Sequence, residues 1–302
     1  MKTNNYRKVY KEGSFMRSTM DYLALAEEKG KRLGEIVLKE QAEEAEKSQD
    51  ELRKRMAANL QVMREAVQSG LRGERKSLSG LVGGEALKVE TLRRSGKSLI
   101  GERVSGAIAR ALAVVEVNAS MGKIVAAPTA GSCGVLPAVL LTAEEALGSS
   151  EEDVVTALFC AAGIGMIIAD RANVSGAEGG CQAEIGSAAG MAAAAAAELA
   201  GGSPEACIHA AAIGIKSFLG LVCDPVAGLV EVPCVKRNAT AATVALAAAE
   251  MALSGIASAI PLDEVIDAMN EIGKSMPCSL RETAQGGLAI TPTGQRIQAE
   301  FL

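Results

Sequence analysis

The chain has 302 residues, 49% of them hydrophobic and 22% charged, which is enough apolar material for one large domain or two smaller ones. Tryptophan is absent and only three Tyr and four Phe occur, so the core must consist mainly of small aliphatic residues, which favours closely packed, alanine-rich helices. The net charge of −5 combines a basic first hundred residues with an acidic remainder, but the basic part interleaves both signs in helical order, a pattern that argues against nucleic-acid binding.

The first 86 residues predict charged, peripheral helices. Residues 1–18 show no periodic pattern and predict loose order. Residues 20–69 predict one long helix, or two helices with a break near residues 30–34, and the glycines and serines of 70–84 predict a turn region. We expect residues 1–86 to form a helical N-terminal segment and residues 87–302 to form a second, larger helical domain.

Helices separated by short loops are predicted for the rest of the chain. The apolar helical runs cover 87–120, 136–147, 151–170, 187–200, 204–219, 238–255 and 263–274. Residues 123–128 (KIVAAP) are the one strand-like piece, and no segment alternates clearly enough to demand a sheet. The predicted fold class is therefore all-α: a multi-helix domain with Gly-, Pro- and Cys-rich loops, where we expect the chemistry.

No segment predicts export or membrane insertion. No charged region followed by an apolar one opens the chain. The longest apolar run, residues 154–169, has 16 residues, short of the ~20 that span a bilayer, and predicts a buried helix. Seven widely spaced cysteines indicate a reducing cytoplasm rather than a disulfide framework. We therefore expect a cytoplasmic protein that binds neither membrane nor nucleic acid.

Three cysteines outside the apolar runs are candidates for metal chemistry. Cys181 lies in GAEGGCQAEIG (176–186), predicted as a loop, and Cys223 and Cys234 lie in GLVCDPVAGLVEVPCVKRNA (220–239). Their wide spacing differs from the CxxC pairs of zinc ribbons and does not by itself identify a metal. Three thiolates can hold three irons of a [4Fe-4S] cluster and leave the fourth open to a substrate, whereas buried structural cysteines are the alternative.

Four motifs resemble the iron–sulfur-dependent L-serine dehydratases, and specifically the separate alpha subunit of the two-chain bacterial form: MGKIVAAPTAGSCGVLPAVL, GAEGGCQAEIGSAAGMAAAA, LVCDPVAGLVEVPCVKRNA and SLRETAQGGLAITPTG, within about 121–294. The resemblance implies that Cys181, Cys223 and Cys234 are the [4Fe-4S] ligands. It also implies an all-helical catalytic domain that converts L-serine to pyruvate and ammonia without pyridoxal phosphate. Because nothing here resembles the regulatory domain of single-chain relatives, it implies a separate beta subunit, which could supply the catalytic base.

Polar residues beside these motifs are candidates for binding the substrate. APTAGSCG (127–134) precedes an apolar helix and could aim backbone N–H groups at the serine carboxylate, although a plain helix cap is the alternative. The predicted substrate-binding residues are Lys123, Thr129, Ser132, Gly134, Arg237 and Asn238.

The catalytic base is not assigned within this chain. Lys236 and His209 are weak candidates, because Lys236 can belong to a surface helix turn and His209 lies in an alanine-rich helix. Cys160 and Cys207 lie in apolar helices and are predicted to be core residues. Arg281 and Glu282, in the motif SLRETAQGGLAITPTG, are polar candidates to which no role is assigned.

Two other functions are compatible with these motifs. An iron–sulfur L-cysteine desulfidase would use a similar cluster and a similar elimination. A non-enzymatic iron–sulfur or helical interaction protein would use the charged N-terminal helices as its binding surface, but an electron carrier normally supplies four cluster ligands rather than three.

Overall fold

Alpha-helices dominate the computed structural model, which describes residues 18–301, so the predicted all-α class is confirmed. The helices are α1 (Thr19–Lys29), α2 (Leu33–Glu44), α3 (Gln49–Leu71), α4 (Glu85–Arg94), α5 (Gly101–Ala119), α6 (Val135–Leu147), α7 (Glu151–Arg171), α8 (Gly176–Gly179), α9 (Ser187–Leu199), α10 (Pro204–Lys216), α11 (Cys234–Leu253), α12 (Leu262–Ser275) and α13 (Pro292–Phe301). The predicted loose order of residues 1–18 falls almost entirely outside the described residues.

Helix α9 is the centre of the core. Its sequence, SAAGMAAAAAAEL, is buried along nearly its whole length, and α6, α7, α10 and α11 pack around it. Small residues make this packing possible: a Cβ on Gly190 would lie 2.6 Å from the Ile215 side chain. The scarcity of aromatic residues therefore reflects helices that approach each other closely.

The N-terminal helices join the same core as the rest of the chain. Of the two alternatives predicted for residues 20–69, the one with a break near residues 30–34 is observed, because Gly30 ends α1 in the left-handed conformation (φ 58°). A second break, between α2 and α3, was not predicted; there Ser48 caps α3. Helix α2 packs on α7 and α3 packs on α5, burying Leu38 and Leu60. Residues 18–86 and residues 87–301 therefore pack against each other extensively.

Acidic residues of later helices cap the N-termini of three of these early helices. Asp263 accepts from the Thr19 amide of α1 (3.2 Å), Glu198 from the Gly34 amide of α2 (3.0 Å), and Glu116 from the amides of Gly84, Glu85 and Ala86 at the start of α4 (3.1, 2.7 and 2.9 Å). A carboxylate at a helix N-terminus satisfies free amide groups and interacts favourably with the helix dipole. These long-range caps fasten the charged helices to the core.

The strand predicted at 123–128 is wrong. Among the described residues, no strand forms, and the β-type pairing consists of an isolated bridge between Cys223 and Arg281. Residues 123–128 run without secondary structure between α5 and a short 3-10 turn, Ala130–Ser132. Their apolar, β-branched residues suit a strand, but within residues 18–301 no second extended segment pairs with them.

Two segments, Ala130–Leu147 and Glu151–Arg171, are long and apolar enough to cross a membrane by length and composition alone. In the most apolar 18-residue window of each segment, 61% and 67% respectively is buried inside the molecule, and core helices of soluble proteins pass the same test. Helix α7 packs against α2 and α9, as expected for the buried helix predicted at 154–169.

Candidate functional site

The fold brings Cys181, Cys223 and Cys234, hereafter the site cysteines, into one buried region. Their residues are 1%, 2% and 6% exposed. Burial and the charges of Cys181 and Cys234 raise the pKa of Cys223, an effect that requires the three sulfur atoms to lie near one another. The sequence-based grouping of these three residues therefore corresponds to a spatial cluster.

Cys181 does not lie in an open loop, in contrast to the prediction. It immediately precedes a π-helical turn, Gln182–Gly186, that continues into α9. The fully buried Gln182 side chain donates to the carbonyl groups of Gly179 and Met269 and accepts from the Gly220 amide. Gln182 thereby links the Cys181 turn to the segment that leads to Cys223. Such wide helical turns occur frequently at functional sites.

The C-terminal motif is held directly against Cys223. The Cys223 amide donates to the Leu280 carbonyl (2.8 Å), and the Glu282 amide donates to the Cys223 carbonyl (2.7 Å). Glu282 has a left-handed backbone (φ 61°), which is unusual for a residue other than glycine. The charge of Glu282 also raises the pKa of Cys223, although the Glu282 side chain itself is exposed.

Arg237 and Asp224 form an ion pair inside the site. Arg237 Nη2 donates to Asp224 Oδ1 (2.9 Å), and Nη1 donates to the Val222 carbonyl (2.8 Å). Burial raises the pKa of Cys181 to about 11, and the Arg237 charge opposes that rise. The Arg237 guanidinium therefore lies near enough to Cys181 for its charge to act on the thiol.

The APTAGSCG segment is bound to the cysteine motifs through Asn238. The Asn238 amide nitrogen donates to the carbonyls of Gly131 (2.8 Å) and Cys234 (2.9 Å), while its oxygen accepts from the Gly134 amide (3.0 Å). Asn238 is fully buried. The structure thus places Asn238 and Gly134, both predicted to bind substrate, in a clamp that holds the segment beside Cys234.

Thr129 and Ser132 lie at the beginning of this clamp. The Thr129 hydroxyl donates to Glu184 Oε1 (2.7 Å), and the hydroxyl oxygens of Thr129 and Ser132 are 3.1 Å apart. Ser132 is fully buried, whereas Thr129 is partly exposed. Of the two, Thr129 is therefore the one that a small ligand could reach.

Glu184 is the residue that sequence reasoning missed. It lies in the motif that contains Cys181, and its carboxylate is largely buried beside Thr129 and Cys223. A Cβ on Gly176 would lie 2.8 Å from Glu184 Oε2 and 3.1 Å from the Cys223 sulfur. Burial raises the pKa of Glu184 above its usual range. The sequence does show a glutamate three residues after Cys181 in GGCQAEIG, but only the fold shows that this glutamate faces the cysteines.

Three other predicted residues have their contacts elsewhere. Lys123 is exposed. Lys236 forms an ion pair with Glu85 at the start of α4. His209 accepts from the Ser258 amide and lies 3.6 Å from Glu205, its neighbour one turn earlier in α10. The structure brings none of these three side chains into described contact with the site cysteines, which weakens their candidacy for binding or proton transfer.

Cys160 and Cys207 are buried, as predicted, but they share their position with Glu198. One ligand atom of each of these three residues lies within 4.8 Å of the others, closely enough to hold a single ion. Both Glu198 oxygens, however, accept from the Gly34 amide, so this carboxylate is already used to cap α2. The capping of α2 by Glu198 therefore explains why these three residues lie together, and no metal ion is needed to explain it.

The site cysteines fit the implied [4Fe-4S] cluster in donor type, because each cysteine of such a cluster binds a different iron through its sulfur. The glycine at position 176 leaves room against Cys223 that any side chain would fill.

Comparisons with known proteins agree with this geometry. The sequence profile of the family described as "Serine dehydratase alpha chain" matches residues 28–289. A Bacillus subtilis protein named "Probable L-serine dehydratase, alpha chain" is 51% identical over 94% of this chain and 95% of its own length. The "L-serine dehydratase, alpha chain" of Peptoniphilus asaccharolyticus is 42% identical over 95% of this chain and 98% of its own. "L-serine dehydratase 1" of Escherichia coli is 53% identical over 60% of this chain, which covers 40% of that longer protein.

Proposed function

The chain belongs to the serine dehydratase alpha-chain family, and from that premise we propose that it is the catalytic alpha chain of an L-serine dehydratase. The reaction removes the α proton and the β hydroxyl group of L-serine as water, and hydrolysis of the resulting enamine, through its imine, gives pyruvate and ammonia. The observation that carries the proposal is the buried set of three cysteines within the matched region, joined by Glu184 and Arg237.

We propose that Cys181, Cys223 and Cys234 hold a [4Fe-4S] cluster and that pyridoxal phosphate is not used. When bound, such a cluster supplies a Lewis acid that eases departure of the hydroxyl group. The buried thiols carry protons in the free chain, because burial raises the pKa of Cys181 to about 11 and, with the charge of Cys181, that of Cys234 to about 12. Loading the cluster must therefore release these protons.

The chain's own residues suit the handling of a small polar substrate. Thr129 and the backbone of the segment held by Asn238 form a polar wall beside Cys234. Glu184 Oε1 accepts from Thr129, and Oε2 faces Gly176 and Cys223. Because burial raises the pKa of Glu184, this carboxylate is the chain's best-placed candidate for accepting a proton near the site.

A separate beta chain and a cytoplasmic location are further parts of the proposal. The similar proteins of B. subtilis and P. asaccharolyticus are named alpha chains, and the E. coli relative is a longer single protein of which this chain covers 40%. A partner supplied separately would account for that difference in length. All seven cysteines are free thiols in the structure, and this favours a reducing compartment.

The decisive experiment is anaerobic reconstitution of the chain with iron, sulfide and its beta chain, followed by assays with L-serine and L-cysteine. We expect pyruvate from L-serine with a clear preference over L-cysteine. A clear preference for L-cysteine would instead assign the chain as a desulfidase. Iron uptake without turnover of either amino acid, in the presence of the beta chain, would contradict an enzymatic role.

A further inference from the structure

An open groove of about 410 Å³ lies between helices α5, α6, α9 and α11. Alanine and leucine residues make up most of its walls. Two of these residues, Leu147 at the end of α6 and Leu253 at the end of α11, are 51% and 38% exposed. Exposed apolar surface that is bordered by polar residues commonly marks an interaction site.

The charged residues that line this groove are Arg103 on α5 and Glu250 on α11. Both are exposed, and within residues 18–301 neither side chain forms a hydrogen bond or an ion pair. Arg110 in the adjoining hollow differs, because it pairs with Glu145 and donates to the Thr142 hydroxyl (2.7 Å). The groove therefore combines an apolar surface with one free positive charge and one free negative charge.

The groove lies far from the site cysteines. Cys234 is the first residue of α11 and Glu250 lies near its last turn, so about 24 Å of helix axis separate them at 1.5 Å per residue. A partner that fills the groove therefore leaves the cysteine site open. A beta chain that supplies a group to that site has to bind at the other end of α11, so the groove suits a different partner.

We propose that this groove is the contact surface between two copies of the chain, related by a two-fold axis, with Arg103 of each copy paired with Glu250 of the other. A two-fold contact joins a surface to itself, so the surface must be self-complementary. A free cation and a free anion beside one apolar groove meet that requirement. Association also removes Leu147 and Leu253 of both copies from water. The inference does not depend on the proposed function.

Charge reversal in the full chain tests this pairing, with the dissociation constant measured by analytical ultracentrifugation. The wild type should form dimers between about 1 and 100 µM. Arg103→Glu and Glu250→Arg each place like charges opposite each other twice, so each should raise the dissociation constant at least roughly tenfold. The double variant restores both pairs with their signs exchanged and should return to within about threefold of the wild type.

Lys274→Glu is the matched control, because it reverses an exposed charge on α12 that pairs with Glu271 and does not line the groove. It should dimerise like the wild type. Leu253→Asp is a second test, should a charge variant lose helicity: it puts a charge into the apolar part of the contact and should also raise the dissociation constant at least roughly tenfold.

A wild-type chain that remains monomeric over the whole concentration range would overturn the inference. Dimers that none of the groove variants weakens would place the interface elsewhere and overturn it as well. Single variants whose loss the double variant does not reverse would refute the pairing of Arg103 with Glu250. Variants that dimerise normally but no longer bind the beta chain would assign the groove to that chain instead.

Discussion

The buried Glu198 should make the stability of the protein fall as the pH rises toward neutrality. Its carboxyl group is 3% exposed, caps α2 through the Gly34 amide, and lies against the thiols of Cys160 and Cys207. Burial raises its pKa from 4.5 to about 7. The folded chain therefore holds this proton more tightly than the unfolded chain does between pH 4.5 and 7.

The sign and size of the effect follow from that difference. Because the folded-state pKa is the higher one, the stabilisation is fully present below pH 4.5 and is lost as the pH rises through 7. At about 1.4 kcal/mol per pKa unit, the loss is roughly 3 kcal/mol. Glu198→Gln has no proton to lose but keeps an oxygen that can accept from Gly34.

Urea unfolding at pH 5 and pH 8, followed by circular dichroism, measures this difference. Relative to the wild type, Glu198→Gln should be more stable at pH 8 than at pH 5 by roughly 2.5 kcal/mol, because pH 5 already lies slightly above the unfolded-state pKa. Glu264→Gln, an exposed acid on α12, is the matched control and should show no such change. A wild-type and a Glu198→Gln protein with parallel pH profiles would refute the argument that this buried acid is protonated in the folded chain.

Three further predictions concern the site and the helix caps. Serine at any one site cysteine should abolish iron retention, whereas Cys160→Ala and Cys207→Ala should retain it; equal iron loss in all variants, with the chain still folded, would contradict the division into ligands and core. Glu184→Gln should lower kcat about 10²- to 10⁴-fold with iron content unchanged, as expected if it handles a proton, and a normal kcat would exclude that role. Glu116→Ala leaves three amides at the start of α4 unbonded and should lower the free energy of unfolding in urea by roughly 3–5 kcal/mol. The control Glu102→Ala changes an exposed acid on α5, the helix that also carries Glu116, and should cost less than ~0.5 kcal/mol; similar values for both would show that the cap contributes little.

The helical class and the grouping of the three site cysteines could be predicted because their signals are local. Alanine-rich periodicity identifies helices without knowledge of their neighbours, and the cysteine motifs are distinctive in sequence. Residues 123–128 show the limit of such signals. Their composition suits a strand, but a strand forms only beside a partner, and the availability of a partner is a property of the fold.

The roles of charged residues could not be predicted, because burial and partner decide them. Lys236 and Arg237 are adjacent in sequence and both basic, yet Lys236 forms an ion pair with Glu85 and Arg237 forms one with Asp224, the residue next to Cys223. Neighbouring positions on a helix point about 100° apart, so adjacent residues commonly meet different surroundings. Glu184 was overlooked for the same reason: the motif contains it, but only packing turns its carboxylate toward the cysteines. At this site, sequence motifs identify the ligand candidates, and the fold decides which neighbouring charges act on them.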